Sequence, residues 1–217
     1  EEAYASLVGL HPAVSRAIPV ALRRLKRGLL APSAWSALAG ARKQLRERRY
    51  DWIVDTQGLL KSVAVARLGR GPLFGYDRRS IRERSAARFY DQALAVPRSL
   101  HAVERNRRLV GAVFGYEPGG PPVYGLAAPA QAPDWAPTGR YVVALHATSR
   151  RDKRWPDRSW AELAARLGAE GLAVVYPGGS PAERADAGRL AAASPGALAA
   201  PEMSLPQAAA LLAHASA

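Results

Sequence analysis

Cysteine is absent from the 217 residues, which excludes both a disulfide framework and a thiolate metal site. That fits a reducing compartment such as the cytoplasm. Long apolar runs are missing too: none approaches the roughly 20 residues that a membrane-spanning helix needs. The chain opens on acidic "EEAY", without a Met or the apolar stretch of a signal peptide. Aromatic residues make up only 7% and do not form a stacking series. No RRM, helix-turn-helix, KH or zinc-finger pattern accompanies them, so a nucleic-acid-binding reading rests on charge alone. Acid is the scarcer charge, with 18 Asp plus Glu against 31 Lys plus Arg and a formal charge of +13. Such an excess favours anionic partners: nucleic acid, acidic membrane or phosphorylated substrates. Most of it is Arg, whose planar fork suits phosphate and carboxylate.

What is present is an alternation of strand-like and helix-like segments, the pattern of an α/β fold with parallel sheets. "SRAIPVAL" (15–22) reads as a strand and 34–48 as a helix. "YDWIVD" (50–55) is a compact strand with "QGLLKSVAVARL" as the helix after it. Residues 69–79 look irregular, whereas "SIRERSAARFYDQAL" and "HAVERNRRLVGAVFG" look helical. In the second, Val103, Val110 and Phe114 form an apolar stripe. A Pro/Gly-dense stretch, residues 118–139, separates an N-terminal domain (1–117) from a C-terminal one (140–217). Beyond it lie the strand "YVVALHA" and an amphipathic helix, "SWAELAARLGAEG", with Ser159 or Asp157 as N-cap and Gly171 as stop. Then "LAVVYPGGSPAER" repeats strand, Gly-rich turn and helix start.

Ligands of open α/β sheets bind beyond the carboxyl ends of strands. After Val142–Leu145 come Thr148, Ser149 and Lys153; after Val174–Tyr176 come Gly178, Gly179, Ser180 and Glu183. Hydroxyls and backbone N–H groups can hold phosphate oxygens while a Lys supplies charge. A carboxylate at the next strand end can accept from a ribose diol. The competing reading is a solvated basic loop, since neither a Walker A nor a GxGxxG pattern is present. "RRLKR" (23–27) is either a solvated cationic loop or a phosphate clamp. Asp55, at a strand-to-helix junction, is a base or a helix cap, and capping is the commoner use. His101 reads as an N-terminal helix group, and no second His stands at metal-ligand spacing, so no metal is expected.

Four segments in this order, "DTQGLLKS", "RERSAARFY", "HAVERNRRL" and "LHATSRRDKRWPDRSW", resemble the lipopolysaccharide heptosyltransferases, above all the heptosyltransferase I family. The resemblance continues through "PEMSLPQAAALLAHA". It implies a GT-B glycosyltransferase architecture of two Rossmann-like domains with parallel sheets, acceptor on the N-terminal one and sugar nucleotide on the C-terminal one. The implied reaction is an inverting transfer of heptose from ADP-heptose to the Kdo of Kdo-lipid A, without a metal or other cofactor. Thr148, Ser149 and Lys153 match the family's diphosphate site, Ser149 standing where Thr is common. Glu183 matches the ribose site and Met203 lies near the adenine. Arg23, Arg24, Lys26, Arg27 and Arg82 match the acceptor side. Peripheral attachment to the cytoplasmic face of the inner membrane follows from the acceptor and from the basic surface. Heptosyltransferase II, or another GT-B sugar-nucleotide transferase, is the alternative; "HAVER" and "DKRWP" favour I.

Two family features have no counterpart here. The Gly-Asp that carries the family's proposed base would precede Glu1, and the Asp-Thr-Gly…His motif would follow Ala217. The expectation is therefore a fragment, lacking both ends and inactive alone, of a protein that is an enzyme when whole.

Overall fold

The computed structural model describes residues 4–20, 32–148 and 150–217, with side chains left undescribed at 32–35, 37 and 151. The chain divides into two compact units. One is built on Arg16–Gly125, the other on Leu126–Ala217 together with Ser6–Ser15. The division falls inside the Pro/Gly-dense stretch. The early segment belongs to the later unit, where the Leu10 carbonyl accepts from the Ala127 N–H. After α1 (Ala5–Val8), the first unit contains α2 (Pro32–Arg46), β1 (Ile53–Val54), α3 (Leu60–Ala66) and β2 (Leu73–Tyr76). A short 3-10 turn (Ala86–Phe89), β3 (Gln92–Leu94) and α4 (Ala102–Phe114) complete it. The second unit contains β4 (Tyr141–Val143), a 3-10 turn (Arg151–Lys153), α5 (Asp157–Ala169), β5 (Ala173–Tyr176), α6 (Pro181–Ala192), β6 (Ala197–Ala199) and α7 (Leu205–Ala213).

Among the described residues each unit has one three-stranded parallel sheet, ordered β1-β2-β3 and β4-β5-β6. Parallel strands force crossovers; an α-helix lies in those after β1, β4 and β5, and only the 3-10 turn Ala86–Phe89 in the one after β2. The α/β, parallel-sheet architecture expected from the sequence is therefore the one observed.

Several local expectations are corrected. Residues 15–20 form no strand, since Pro19 removes a donor and Arg16 is drawn to Glu47 and Gln44; residues 21–22 lie outside the described residues. Residues 69–79 are not irregular: they contain β2, all four of whose residues are buried. A central parallel strand buried on both faces shows no alternation, and Gly75 interrupts its apolar run. Gly75 is required there, because a Cβ would collide with the Tyr90 ring that lies across it. The segment 80–94 is not a helix. The Asp91 carboxylate accepts from the Leu73 N–H at 2.7 Å and pairs with Arg67, which also binds the Phe89 carbonyl. Those bonds draw 92–94 out as the edge strand β3.

In α4 the buried anchors are Leu109 and Gly111, while Phe114 is exposed and meets Trp52 edge-on at 5.1 Å. The N-cap of α5 is Pro156, not Ser159 or Asp157: its extended backbone (ψ 143°) sets the helix entry, leaving Asp157 in the first turn near the positive end of the dipole. The helix stops just before Gly171, as its sequence leads one to expect.

Three buried clusters hold the units. Leu73, Tyr76, Ile81, Tyr90 and Leu109 lie at the centre of the first. Val174, Tyr176 and Leu190 form one side of the second sheet, and Tyr141, Val175 and Leu211 the other.

Candidate functional site

In the second unit, the three strand exits carry the expected donor residues. From β4 the ladder continues one residue, the Ala144 N–H donating to Val175 at 2.9 Å. The chain then turns through His146, Thr148 and the 3-10 turn that holds Lys153. Thr148 is half-buried and Lys153 exposed; Ser149 lies outside the described residues. Of the four cations of 150–154, the three whose side chains are described (all but Arg151) divide sharply. Arg150 pairs with Asp152 through two bonds, so its charge is neutralised locally. Arg154 reaches Asp186 of α6 at 3.1 Å, an anchor rather than the solvated rim its sequence context suggests. Lys153 has no ion pair among the described residues. Asp152 is held below its usual carboxyl range by the Arg150 bond.

His146 was not assigned a role from the sequence, yet it is one of the few buried polar residues, at 8% exposure. Its Nε2 lies 3.3 Å from the Glu183 carbonyl and its ring meets Tyr176 edge-on at 5.8 Å. The loop after β4 is thereby tied to the start of α6 at two points, His146 and Arg154. A polar residue directly after an apolar strand was the only signal in the sequence.

At the exit of β5, Ser180 caps α6. Its hydroxyl accepts from the Glu183 N–H at 3.2 Å, and Glu183 Oε2 accepts from the N–H groups of Gly179 (3.0 Å) and Ser180 (2.9 Å). This capping box corrects one expectation: the Gly179 and Ser180 N–H groups already hold the Glu183 carboxylate and are not vacant for phosphate. Gly178 lets the turn lie against the helix start, where a Cβ would meet Arg184 N at 2.6 Å. Beyond β6, Met203 is half-buried and packs on the cluster of Tyr141, Val175, Ala200 and Leu211. Thr148, Lys153, Glu183 and Met203 thus follow the carboxyl ends of the strands of one sheet, the edge where α/β folds bind ligands.

In the first unit, Arg23, Arg24, Lys26 and Arg27 lie outside the described residues. Arg82 is exposed on the loop after β2, next to Glu83, whose N–H donates to the Gly58 carbonyl and whose carboxylate accepts from Leu60 at 2.7 Å. Asp55 is neither an open base nor the cap of α3, whose N-cap is Leu59. Buried at 6% exposure, it accepts from Gln57 N–H, Gly58 N–H, the Ser62 hydroxyl and the Tyr90 hydroxyl. Burial first, and then that bond to Asp55, push the Tyr90 phenol far above its usual range. His101 is the N-cap of α4, its Nδ1 accepting weakly from Val103 at 3.4 Å. Arg105 stacks on Tyr76 at 4.7 Å and donates to the Ser80 carbonyl.

The model of the family described as "Glycosyltransferase family 9 (heptosyltransferase)" matches residues 39–217. Lipopolysaccharide heptosyltransferase 1 of Pseudomonas aeruginosa is 42% identical over 224 residues, covering 100% of this chain and 61% of its own. The Salmonella typhimurium protein of the same name is 37% identical, covering 99% and 68%. Among solved structures, the E. coli heptosyltransferase WaaC with ADP superposes with a TM-score of 0.93 at 36% identity. The same enzyme with ADP-2-deoxy-2-fluoro heptose gives 0.88 at 37%. In both, the match covers 99% of this chain and 68% or 69% of the other. The chain thus spans about three-fifths to two-thirds of the length of its relatives.

Proposed function

Because the chain belongs to glycosyltransferase family 9, the heptosyltransferases, we propose that it carries the substrate-binding surfaces of an inverting transferase that moves heptose from ADP-heptose to the Kdo of Kdo-lipid A. Unit Leu126–Ala217 binds the donor and unit Arg16–Gly125 the acceptor. In this reaction the Kdo hydroxyl forms a bond to the anomeric carbon as the bond from that carbon to the diphosphate oxygen breaks. A base takes the hydroxyl proton, and ADP leaves with added negative charge. Cations and hydrogen-bond donors aimed at that charge lower the barrier.

The observation that carries the reading is the separation of charges in the loop after β4. Arg150 and Arg154 are paired, while Lys153 is exposed without an ion pair among the described residues. Lys153 supplies charge to the diphosphate and Thr148 a hydroxyl, with Ser149 adding a second. Glu183 Oε2 is engaged by backbone, leaving its other oxygen to accept from the ribose diol, and Met203 offers an apolar contact near the adenine. Arg82, with Arg23, Arg24, Lys26 and Arg27, meets the phosphates and carboxylates of the acceptor. The basic surface supports peripheral binding at the cytoplasmic face of the inner membrane, and no helix among the described residues is long and apolar enough to cross a membrane.

The test is Lys153→Ala in the full-length protein, assayed with ADP-heptose and Kdo-lipid A. Turnover should fall by about 100-fold or more, as when one charge-stabilising group is removed, with thermal unfolding unchanged. Unchanged kinetics would mean that the diphosphate is held elsewhere. An acceptor already bearing heptose, offered in parallel, separates heptosyltransferase I from II. The 217-residue chain alone is expected to be inactive, and measurable transfer by it would overturn that part of the proposal.

A further inference from the structure

The β4–β5 ladder ends where the Ala144 N–H donates to the Val175 carbonyl, and among the described residues no later backbone bond joins 145–155 to 177–186. Two side-chain contacts hold these strand exits together. Arg154 pairs with Asp186 at 3.1 Å, but the two side chains are 42% and 27% exposed, so water screens the pair and it contributes little. Asp186 is moreover shared with Arg189 at 2.7 Å. The other contact is buried: His146 Nε2 lies 3.3 Å from the Glu183 carbonyl. A carbonyl can only accept, so Nε2 carries the hydrogen and the imidazole is the donor.

Packing alone does not account for an imidazole here. Its Nδ1 is buried with no hydrogen-bond partner among the described residues, a cost that an apolar ring of similar size would not carry. The edge-on contact with Tyr176 needs only an aromatic ring. Trp160 meets Tyr176 in the same way at 6.1 Å, and Trp155 meets Trp160 at 5.1 Å. The row of four rings joins residue 146 to residue 155, the two ends of the segment that carries Thr148 and Lys153. What the imidazole adds to this row is the Nε2–H. Its acceptor is well anchored: Glu183 Oε2 accepts from the Gly179 and Ser180 N–H groups, and the Glu183 N–H donates to Ser180 Oγ. Through the Glu183 carbonyl, His146 thus ties Glu183 to the loop two residues before Thr148. Ribose and diphosphate are covalently joined, so the residues that receive them must be held at one separation, and small misplacements are costly in rate.

We propose that His146 is a positioning residue of the donor site: its Nε2–H, bonded to the Glu183 carbonyl, holds Thr148 and Lys153 in register with Glu183, so that one sugar nucleotide spans both strand exits. The assignment rests on the reading of the loop after β4 as the diphosphate site. His146 itself touches no reacting atom and acts through Lys153.

The test uses the full-length protein with ADP-heptose and Kdo-lipid A. His146→Phe keeps a ring against Tyr176 and removes the Nε2 donor. Turnover should fall on the order of tenfold, as expected when a charge-stabilising group is misplaced, while the thermal unfolding midpoint stays at or above that of the parent. His146→Gln carries an amide N–H near the Nε2 position and should recover turnover to within about threefold of the parent, as expected for a restored hydrogen bond. His146→Asn, whose amide reaches only as far as Nδ1, should not. If the Phe variant melts early, the two amides still decide, and equal turnover in Gln and Asn overturns the proposal. Because His146 acts through Lys153, the two losses should not multiply: in a Lys153→Ala background, His146→Phe should lower turnover by no more than about twofold. A loss as large as in the parent background overturns the proposal. Parent-like turnover in His146→Phe overturns it alone and leaves the diphosphate reading in place. Parent-like turnover in Lys153→Ala removes that reading and this proposal together.

Discussion

At Asp55 one carboxylate organises four donors from three separate places: its own turn, the start of α3 and the Tyr90 hydroxyl arriving from beyond β2. A buried, multiply bonded anion is costly to break, because each partner is left unsatisfied in a low-dielectric setting. Asp55→Ala should destabilise the protein by about 3 kcal/mol, from the desolvation of the orphaned donors, read as a lower urea midpoint with an unchanged slope. Asp55→Asn keeps the shape and two of the acceptor contacts, so its loss should be smaller. An equal or larger loss in the Asn variant would show that the carboxylate charge, rather than its hydrogen bonds, holds the turn. Tyr90 explains why a neighbour matters as much as the residue itself: its ring needs the space that Gly75 leaves.

At the scale of an element, α6 combines a structural and a proposed functional task in Glu183. Its capping box with Ser180 uses Oε2, and Gln at this helix position can complete such a box as well as Glu can. Glu183→Gln should therefore leave stability within about 0.5 kcal/mol, the usual range for a change that keeps its contacts. In the full-length enzyme it should raise KM for ADP-heptose more than it lowers kcat, because a ribose contact is made alike in ground and transition states. Ser180→Ala should do the reverse, costing about 1 kcal/mol of stability through the lost cap. Equal KM values for Glu183→Gln and the parent would leave Glu183 a helix cap and nothing more.

For the whole molecule, the cores of both units are stapled by tyrosines whose phenols burial holds above their ordinary range: Tyr76 and Tyr90 in one, Tyr141 and Tyr176 in the other. For Tyr90 the hydrogen bond to Asp55 adds to burial. In the folded state these groups stay protonated at a pH where the unfolded chain, with tyrosine near 10, has released its protons. Above about pH 10 the folded form therefore binds more protons than the unfolded one, and stability falls as pH rises. Ultraviolet titration should show these four phenols ionising together with the loss of near-ultraviolet circular dichroism. Their ionisation with dichroism intact would mean that the cores admit water. At the acid end, Asp77, bonded by Ser80, and Asp91, bonded by Arg67, are held below their ordinary values. Their contribution is present above the unfolded carboxyl pKa and is lost as pH falls below about 4.

Sequence alone determined what depends on near neighbours. The long helices, the strands leading into "DTQG", "HATS" and "PGGS", and the stop at Gly171 follow from local apolar pattern and turn chemistry. The polar residues at the strand exits were legible as exits because the strands before them were; their part in binding the donor is the reading proposed above. Tertiary contact alone decided β2, whose burial on both faces erases the alternation that marks a strand. It also decided β3, drawn from a helix-prone segment by Asp91 binding Leu73 and Arg67 from elsewhere in the chain. In the same way, only the fold could separate the cations of 150–154. A side chain's charge is written in the sequence, but its partner is a matter of distance, and Asp186 lies 32 residues from Arg154.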